Sequence, residues 1–224
     1  MQLYSAPLSL FSRKVEIALA EKGLACERVM VGFSQQAGYH PKHPVVLAAN
    51  PKGEVPVLID GDLTLFDSTL IMEYLEDAHP APPLFPTGSR QRARCRLVEL
   101  YADEIMMRNM RSLLYRTEPR DEDAARQLAR EAEGTRADAA LRGQYGWLEQ
   151  QLGNQVYFCG AVGVADIAVF MMLVFALRLG GPSLAGHKAL APWYVRAGDR
   201  PAFARAAAEI GAADAELSPP MLAA

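Results

Sequence analysis

The chain has 224 residues, half of them hydrophobic and 22% charged, with a net charge of −3. That length supports one or two domains with a real core, and the composition excludes a disordered or fibrous chain. The charge argues against a nucleic-acid module, and four histidines and three cysteines without paired spacing supply no zinc pattern, no other metal site and no disulfide framework.

Met1 leads directly into a strand-like Gln2 to Ser5, with no basic and apolar leader before it, so no signal peptide is expected. Phe11, Val15, Ala18 and Leu19 then recur at helical spacing, and Gly23 supplies a stop. Glu27 to Val31 reads as a second strand. After a less regular piece, Val57 to Asp60 and Leu63 to Phe66 flank Asp60-Gly61-Asp62, a hairpin signal. Leu70, Ile71, Tyr74, Leu75 and Ala78 mark a helix. A parallel first pair with a helical crossover, closed by a hairpin, makes a small mixed sheet in an α/β domain over residues 1–79.

His79-Pro80-Ala81-Pro82-Pro83 cannot be helical throughout, because proline lacks the donor and clashes with the preceding turn. Residues 80–88 are therefore read as a linker and 89–224 as an all-helical domain. Arg90 to Tyr115 carries Leu97, Leu100, Tyr101 and Ile105 on one face, and Arg90, Arg92, Arg94 and Arg96 read as a solvated helix surface. Asp121 to Gln151 is long, alanine-rich and polar outside. The longest apolar run, Ile167 to Leu177, is too short to span a bilayer and reads as a helix buried on all sides. It lies within a helix over Val164 to Leu179. Two short helices near Lys188 to Ala197 and Pro201 to Ile210 finish the domain, and the tail after Leu217 is expected to be loose. No membrane association, no nucleic-acid partner and a cytoplasmic, reducing location follow from these features.

Three places carry candidate chemistry. Ser5, Ser9 and Ser12 sit around the first strand–helix junction. They read either as helix caps or as hydroxyls that stabilise a thiolate beside the positive end of a helix. Asn50-Pro51-Lys52-Gly53-Glu54-Val55-Pro56 enters a strand through a proline. With a trans bond it is an ordinary loop; with a cis bond it presents the Val55 backbone to an extended ligand. Asp67-Ser68 opens a helix, either as an N-cap pair or as a pocket for a zwitterion, the acid for an ammonium and the helix start for a carboxylate. Lys42, His43, Lys52 and Glu54 read individually as solvated charges. A Gly-x-Ser-x-Gly elbow, a Gly-x-x-x-x-Gly-Lys-Ser/Thr loop, a Gly-x-Gly-x-x-Gly fingerprint and a Cys-x-x-Cys pair are missing from the chain, which excludes the readings built on them.

Jointly these motifs resemble the glutathione transferase superfamily. The resembling stretches are Leu3-Tyr4-Ser5 through Ser9 and Ser12, Lys14 to Gly23, Asn50 to Leu58, and Asp67 to Leu75. The resemblance implies a thioredoxin-like βαβαββα domain, an all-helical second domain, a homodimer, and glutathione as co-substrate. It implies Ser9 as the thiolate-stabilising group of the serine- and cysteine-type classes, with Ser12 the alternative. Val55 and a cis Pro56 would hold the cysteinyl backbone, and Asp67 and Ser68 the γ-glutamyl end. Lys42 and Glu54 would complete the glutathione site, and Asp103 would reach the partner's site. Met106, Met107, Met110, Leu113, Leu114 and Tyr115 form either bundle core or dimer contact, or a pocket for a small hydrophobic electrophile. Ser68 to Asp77 is also similar to bacterial enzymes that cleave aryl ethers with glutathione. Leu63-Thr64-Leu65 and the next helix are similar to stringent-starvation regulators, which implies a non-catalytic RNA polymerase-binding protein as the alternative. The superfamily's Ser/Thr-x-x-Asp box is Gly163-Val164-Ala165-Asp166 here. Glycine is an acceptable N-cap and Asp166 can still bond back to the helix start.

Overall fold

The computed structural model describes residues 1–34 and 37–218. It forms two compact units, one of Met1–Phe85 with Pro201–Leu217 and one of Pro86–Arg200 with Ser218. The loose tail expected from the sequence lies, beyond Ser218, outside the described residues.

The first unit is built on a four-stranded mixed sheet of order β2-β1-β3-β4. Strand β1 (Gln2–Ser5) pairs in parallel with β2 (Glu27–Met30) and antiparallel with β3 (Val57–Asp60), which pairs antiparallel with β4 (Leu63–Phe66). Helix α1 (Leu10–Glu21) makes the crossover that the parallel pair requires. Successive side chains of a strand face opposite sides. Tyr4, Val57 and Val31 therefore join Ala6 and Val46 in a cluster on one side of the sheet, covered by α2 (Pro44–Ala49) through Val45, Val46 and Ala49. Leu3 and Leu58 face the other side and are buried there, where α1 and α3 (Ser68–Ala78) pack together. The β3–β4 loop is Gly61-Asp62, and Gly61 takes φ +61, which a side chain would resist.

The linker begins as part of this unit. Lys22 Nζ, fully buried, donates to Glu76 at 2.7 Å and to the carbonyls of His79 and Pro82, while Glu76 accepts from the N–H groups of Leu84 and Phe85. One ion pair thus straps the proline-rich segment down as far as Phe85. The last helix, α9 (Pro201–Leu217), also packs here, on α1, whereas the sequence reading put it with the helical half. Its Glu209 accepts from both Arg13 and Arg28, and both arginines also pair with Glu16.

The second unit is all-helical: α4 (Ser89–Leu100), a π-helical turn over Tyr101–Met106, α5 (Met107–Arg111), a 3-10 turn over Leu114–Thr117, α6 (Ala124–Leu152), α7 (Val164–Arg178) and α8 (Leu190–Gly198). Helix α7 is the core, buried from Val164 to Ala176 and packed by α4 and α8. Its start is held by Asp166, which accepts from Gly163 N–H at 3.0 Å, Phe158 N–H at 3.1 Å and the Trp193 indole at 2.8 Å. Glu149 caps α8 in the same manner, with its two oxygens on the N–H groups of Ala189 and Leu190. Gly134 of α6 faces Tyr115, whose ring lies 2.7 Å from where a Cβ would stand, so any larger residue would require the ring to move. Cys95 and Cys159 are joined as a disulfide with Cα atoms 5.9 Å apart, contrary to the sequence expectation. They are 64 residues apart in the chain, and only the packing of α4 beside the segment preceding α7 brings them together. No helix among the described residues is long and apolar enough to cross a membrane.

Candidate functional site

The strand register decides what meets what in the first unit. Tyr4 lies opposite Val57, Val57 opposite Phe66, and Ser5 opposite Met30. The end of β1, the start of β3, the end of β4 and the end of β2 therefore share one end of the sheet. From that end leave the Ala6–Ser9 turn into α1, the Val55–Pro56 entry to β3, the Asp67 start of α3, and the segment that leads to Lys42. Four stretches distant in sequence are neighbours because of one register.

Ser9 is the N-cap of α1. Its backbone N–H donates to Ala6 O at 3.1 Å, closing a turn, and its Oγ accepts from Ser12 N–H at 3.2 Å. The Ser12 hydroxyl lies 3.0 Å from the same oxygen. Ser12 is fully buried whereas Ser9 retains 9% exposure. Ser5 is elsewhere engaged, donating to Glu16 at 2.6 Å. Arg13 completes the turn: its guanidinium, 2% exposed, donates to Pro7 O at 3.3 Å while it pairs with Glu16 and Glu209. Its part was not read from the sequence, where the only signal is an arginine three residues before Glu16 on a helix.

The Val55–Pro56 bond is cis, Val55 is half-buried against the Tyr4 cluster, and Pro56 is buried. The loop before it is shaped by Asn50, whose side chain donates to Glu54 O at 2.7 Å and accepts from Lys52 N–H at 2.9 Å. Gly53 has φ +61, and a Cβ there would lie 3.2 Å from Leu47 and 3.9 Å from the stem of Lys42. Lys42 thus runs alongside the loop that carries the exposed Glu54. Asn50, buried, positions this loop, and its signal in the sequence is the Asn-Pro-Lys-Gly turn pattern.

Asp67 caps α3 with a single oxygen, Oδ1, which accepts from Thr69 N–H at 3.0 Å and Leu70 N–H at 3.4 Å. It is exposed and takes φ 77, and it is the only non-glycine residue with positive φ among those described. Backbone strain of this kind costs about 1–3 kcal/mol and collects at binding sites. Ser68 beside it is buried. The starts of α1 and α3 both present open N–H groups and a partial positive charge at the same end of the sheet, a setting that favours anions.

In the second unit Met106, Met107, Met110 and Leu113 are buried, and Leu114 is 40% exposed. Leu114 and Tyr115 line a cavity of about 430 Å³ with Arg111, Ser112, Glu118, Ala129, Arg130 and Glu133. Asp103 lies in the π-helical turn. Among the described residues no group of three or more His, Cys, Asp or Glu side chains could hold a metal ion.

A thioredoxin-like domain with two helix starts converging beside a proline-led strand, followed by an all-helical domain, defines a two-domain class of fold, and the fold alone does not fix the activity. The family comparisons agree. The model described as "Glutathione S-transferase, N-terminal domain" matches residues 3–83, and "Glutathione S-transferase, C-terminal domain" matches 124–196. The chain is 34% identical to a maleylacetoacetate isomerase of Pseudomonas aeruginosa over 80% of its own length and 83% of the relative's. It is 44% identical to a stringent starvation protein A homologue of Coxiella burnetii, over only 44% of each chain, so it spans less than half of that relative. A glutathione S-transferase of Methylobacterium radiotolerans, solved in complex with glutathione sulfonate, superposes with a TM-score of 0.74 at 27% identity, covering 92% of this chain and 93% of that one. The chain belongs to the glutathione S-transferase superfamily.

Proposed function

We propose that this protein is a glutathione transferase that binds glutathione and directs its thiolate onto a small hydrophobic electrophile. The observation that carries this reading is the register-driven convergence of Ser9, Val55–Pro56 and Asp67–Ser68 at one end of the sheet. In the reading, the Asp67 carboxylate takes the γ-glutamyl ammonium, and Ser68 with the start of α3 takes its carboxylate. The Val55 backbone pairs with the cysteinyl residue as an added strand would. Lys42 and Glu54 flank the remaining end. The sulfur then rests at the start of α1, where the Ser9 hydroxyl donates to it. The thiol proton leaves to solvent, the sulfur forms its bond to carbon, and a halide or aryloxide departs or an epoxide opens. Removing this charge-assisted donor lowers the thiolate fraction rather than the affinity. Ser9→Ala should therefore lose kcat by about tenfold or more with the KM for glutathione nearly unchanged. A panel of electrophiles that includes aryl ethers and maleylacetoacetate identifies the acceptor, and conjugation, ether cleavage and isomerisation give different products from it.

The homodimer belongs to the same proposal. Leu97, Leu100 and Ile105, 51%, 53% and 41% exposed, form an apolar stripe on α4 and its π-helical continuation that a second copy would cover. A cytoplasmic location goes with it on the strength of the co-substrate alone, because the Cys95–Cys159 disulfide withdraws the cysteine argument for a reducing compartment.

The second reading is a non-catalytic regulator that binds RNA polymerase, favoured by the 44% identity to the Coxiella relative over 98 residues. Titration with glutathione separates the two. Saturable binding below millimolar concentration supports the transferase, and no binding at millimolar concentration overturns it in favour of the regulator.

A further inference from the structure

The Ser9–Ser12 pair contains more than a helix cap. A serine hydroxyl has one proton and two lone pairs. Ser9 Oγ accepts the Ser12 N–H at 3.2 Å and lies 3.0 Å from Ser12 Oγ. Which of the two hydroxyls donates across that 3.0 Å follows from burial. Ser12 is fully enclosed, and its hydroxyl has no second acceptor among the described residues. If Ser9 donated to Ser12, the Ser12 proton would be buried without a partner, at a cost of about 1–3 kcal/mol. With Ser12 donating, every group is satisfied except the Ser9 proton, and Ser9 is the member of the pair that retains exposure.

We propose that Ser12 is a positioning residue: its buried hydroxyl fills the second lone pair of Ser9 and so commits the Ser9 proton to the sulfur of bound glutathione. This rests on the transferase reading and deepens it. The chain of donors runs Ser12 O–H to Ser9 Oγ, then Ser9 O–H to the thiolate, and each bond polarises the next. Ser12 never touches the sulfur. Its effect is on the direction and strength of the Ser9 donor. The arrangement needs an i, i+3 pair with the first serine at the N-cap, because only there does the cap geometry turn its Oγ back toward the residue three positions on.

The test uses the full chain and the pH dependence of the ultraviolet absorbance of glutathione thiolate in the binary complex, together with steady-state kinetics. Ser12→Ala keeps the helix, alanine being its best former, and a melting curve checks that it does. The expected result is a glutathione KM within about twofold of wild type, with kcat down about tenfold and the thiolate titration moved up by about one pH unit. Ser12→Thr, which restores the hydroxyl, should restore the titration. A Ser12→Ala protein that titrates as wild type, while Ser9→Ala is impaired, overturns the inference and leaves the transferase reading standing. A Ser9→Ala protein of full activity with Ser12→Ala inactive overturns the assigned order of the two hydroxyls. No glutathione binding by the wild-type chain overturns both.

Discussion

Asp166 stands in the first turn of helix α7 inside the second unit, and Asp67 is the N-cap of helix α3 on the surface of the first. Both carboxylates cap a helix, yet they are used differently. Asp166 is fully buried and accepts from three donors, Gly163 and Phe158 of the segment before α7 and Trp193 of α8. Burial pushes its carboxyl up to about 6, against the pull of those donors. Asp67 is exposed, puts both of its capping bonds on one oxygen, and sits on a backbone with φ 77. A cap whose oxygens all point inward holds a fold together. A cap that keeps one oxygen out of the helix and stores backbone strain leaves chemistry for a ligand.

The comparison breaks most visibly at Asp166. Asp166→Ala strands three buried donors and should lower stability by about 3 kcal/mol or more, at 1–3 kcal/mol for each unpaired group. Thermal or urea unfolding measures it, and a loss below about 1 kcal/mol would contradict the buried network. The pH dependence sharpens the same point. The folded-state value of Asp166 is raised, so its contribution is fully present below the ordinary 3.8 and is lost as pH rises through about 6. The wild type should therefore lose stability relative to Asp166→Asn across that window, and parallel curves would refute the shift.

At Asp67 the effect moves from stability to affinity. Asp67→Asn keeps a capping oxygen and removes the charge, so glutathione should bind about tenfold or more weaker, charge-assisted bonds being worth roughly 1.5–3 kcal/mol, with little change in melting. Calorimetry reads this, and unchanged affinity would remove Asp67 from the site. The smaller effect is on the backbone. Asp67→Gly relieves the positive φ and loses only a few tenths of a kcal/mol of capping, so the protein should gain about 1 kcal/mol of stability while affinity still falls. The smallest effect expected is from Glu209→Gln, a partly exposed partner of Arg13 and Arg28, at about 1 kcal/mol or less.

Much of the first unit was legible from local patterns. The strands around Gln2–Ser5, Val57–Asp60 and Leu63–Phe66, the Gly61 turn and the helix after Asp67 all announce themselves through period-two or helical spacing and turn residues. The cap at Gly163 and Asp166 was legible too, since its two groups lie three residues apart. Three features were not. The stripe of Leu97, Leu100 and Ile105 looks like a core face, but α4 buries Cys95 and Val98 and the π-helical turn after it buries Ala102 instead. Composition ranks the faces of a helix without saying which one meets a neighbour. Helix α9 reads as one more amphipathic segment, and its place beside α1 depends on Arg13, Arg28 and Glu209 meeting across most of the chain. The Cys95–Cys159 pairing likewise has no local signature.

Spacing and residue type, acting over a turn or a hairpin, were enough to write down the four strands and most of the helices, though not α2 or the breaks after α4, and the motifs they carry resemble the superfamily and include the two serines that share a helix start. The order of those serines, the company Asp67 keeps and the side of α4 that faces inward came only with the packed chain. Burial and register are properties of pairs of distant segments, and it is burial that leaves the Ser12 proton a single acceptor, and register that brings Ser9, Val55 and Asp67 to one end of the sheet.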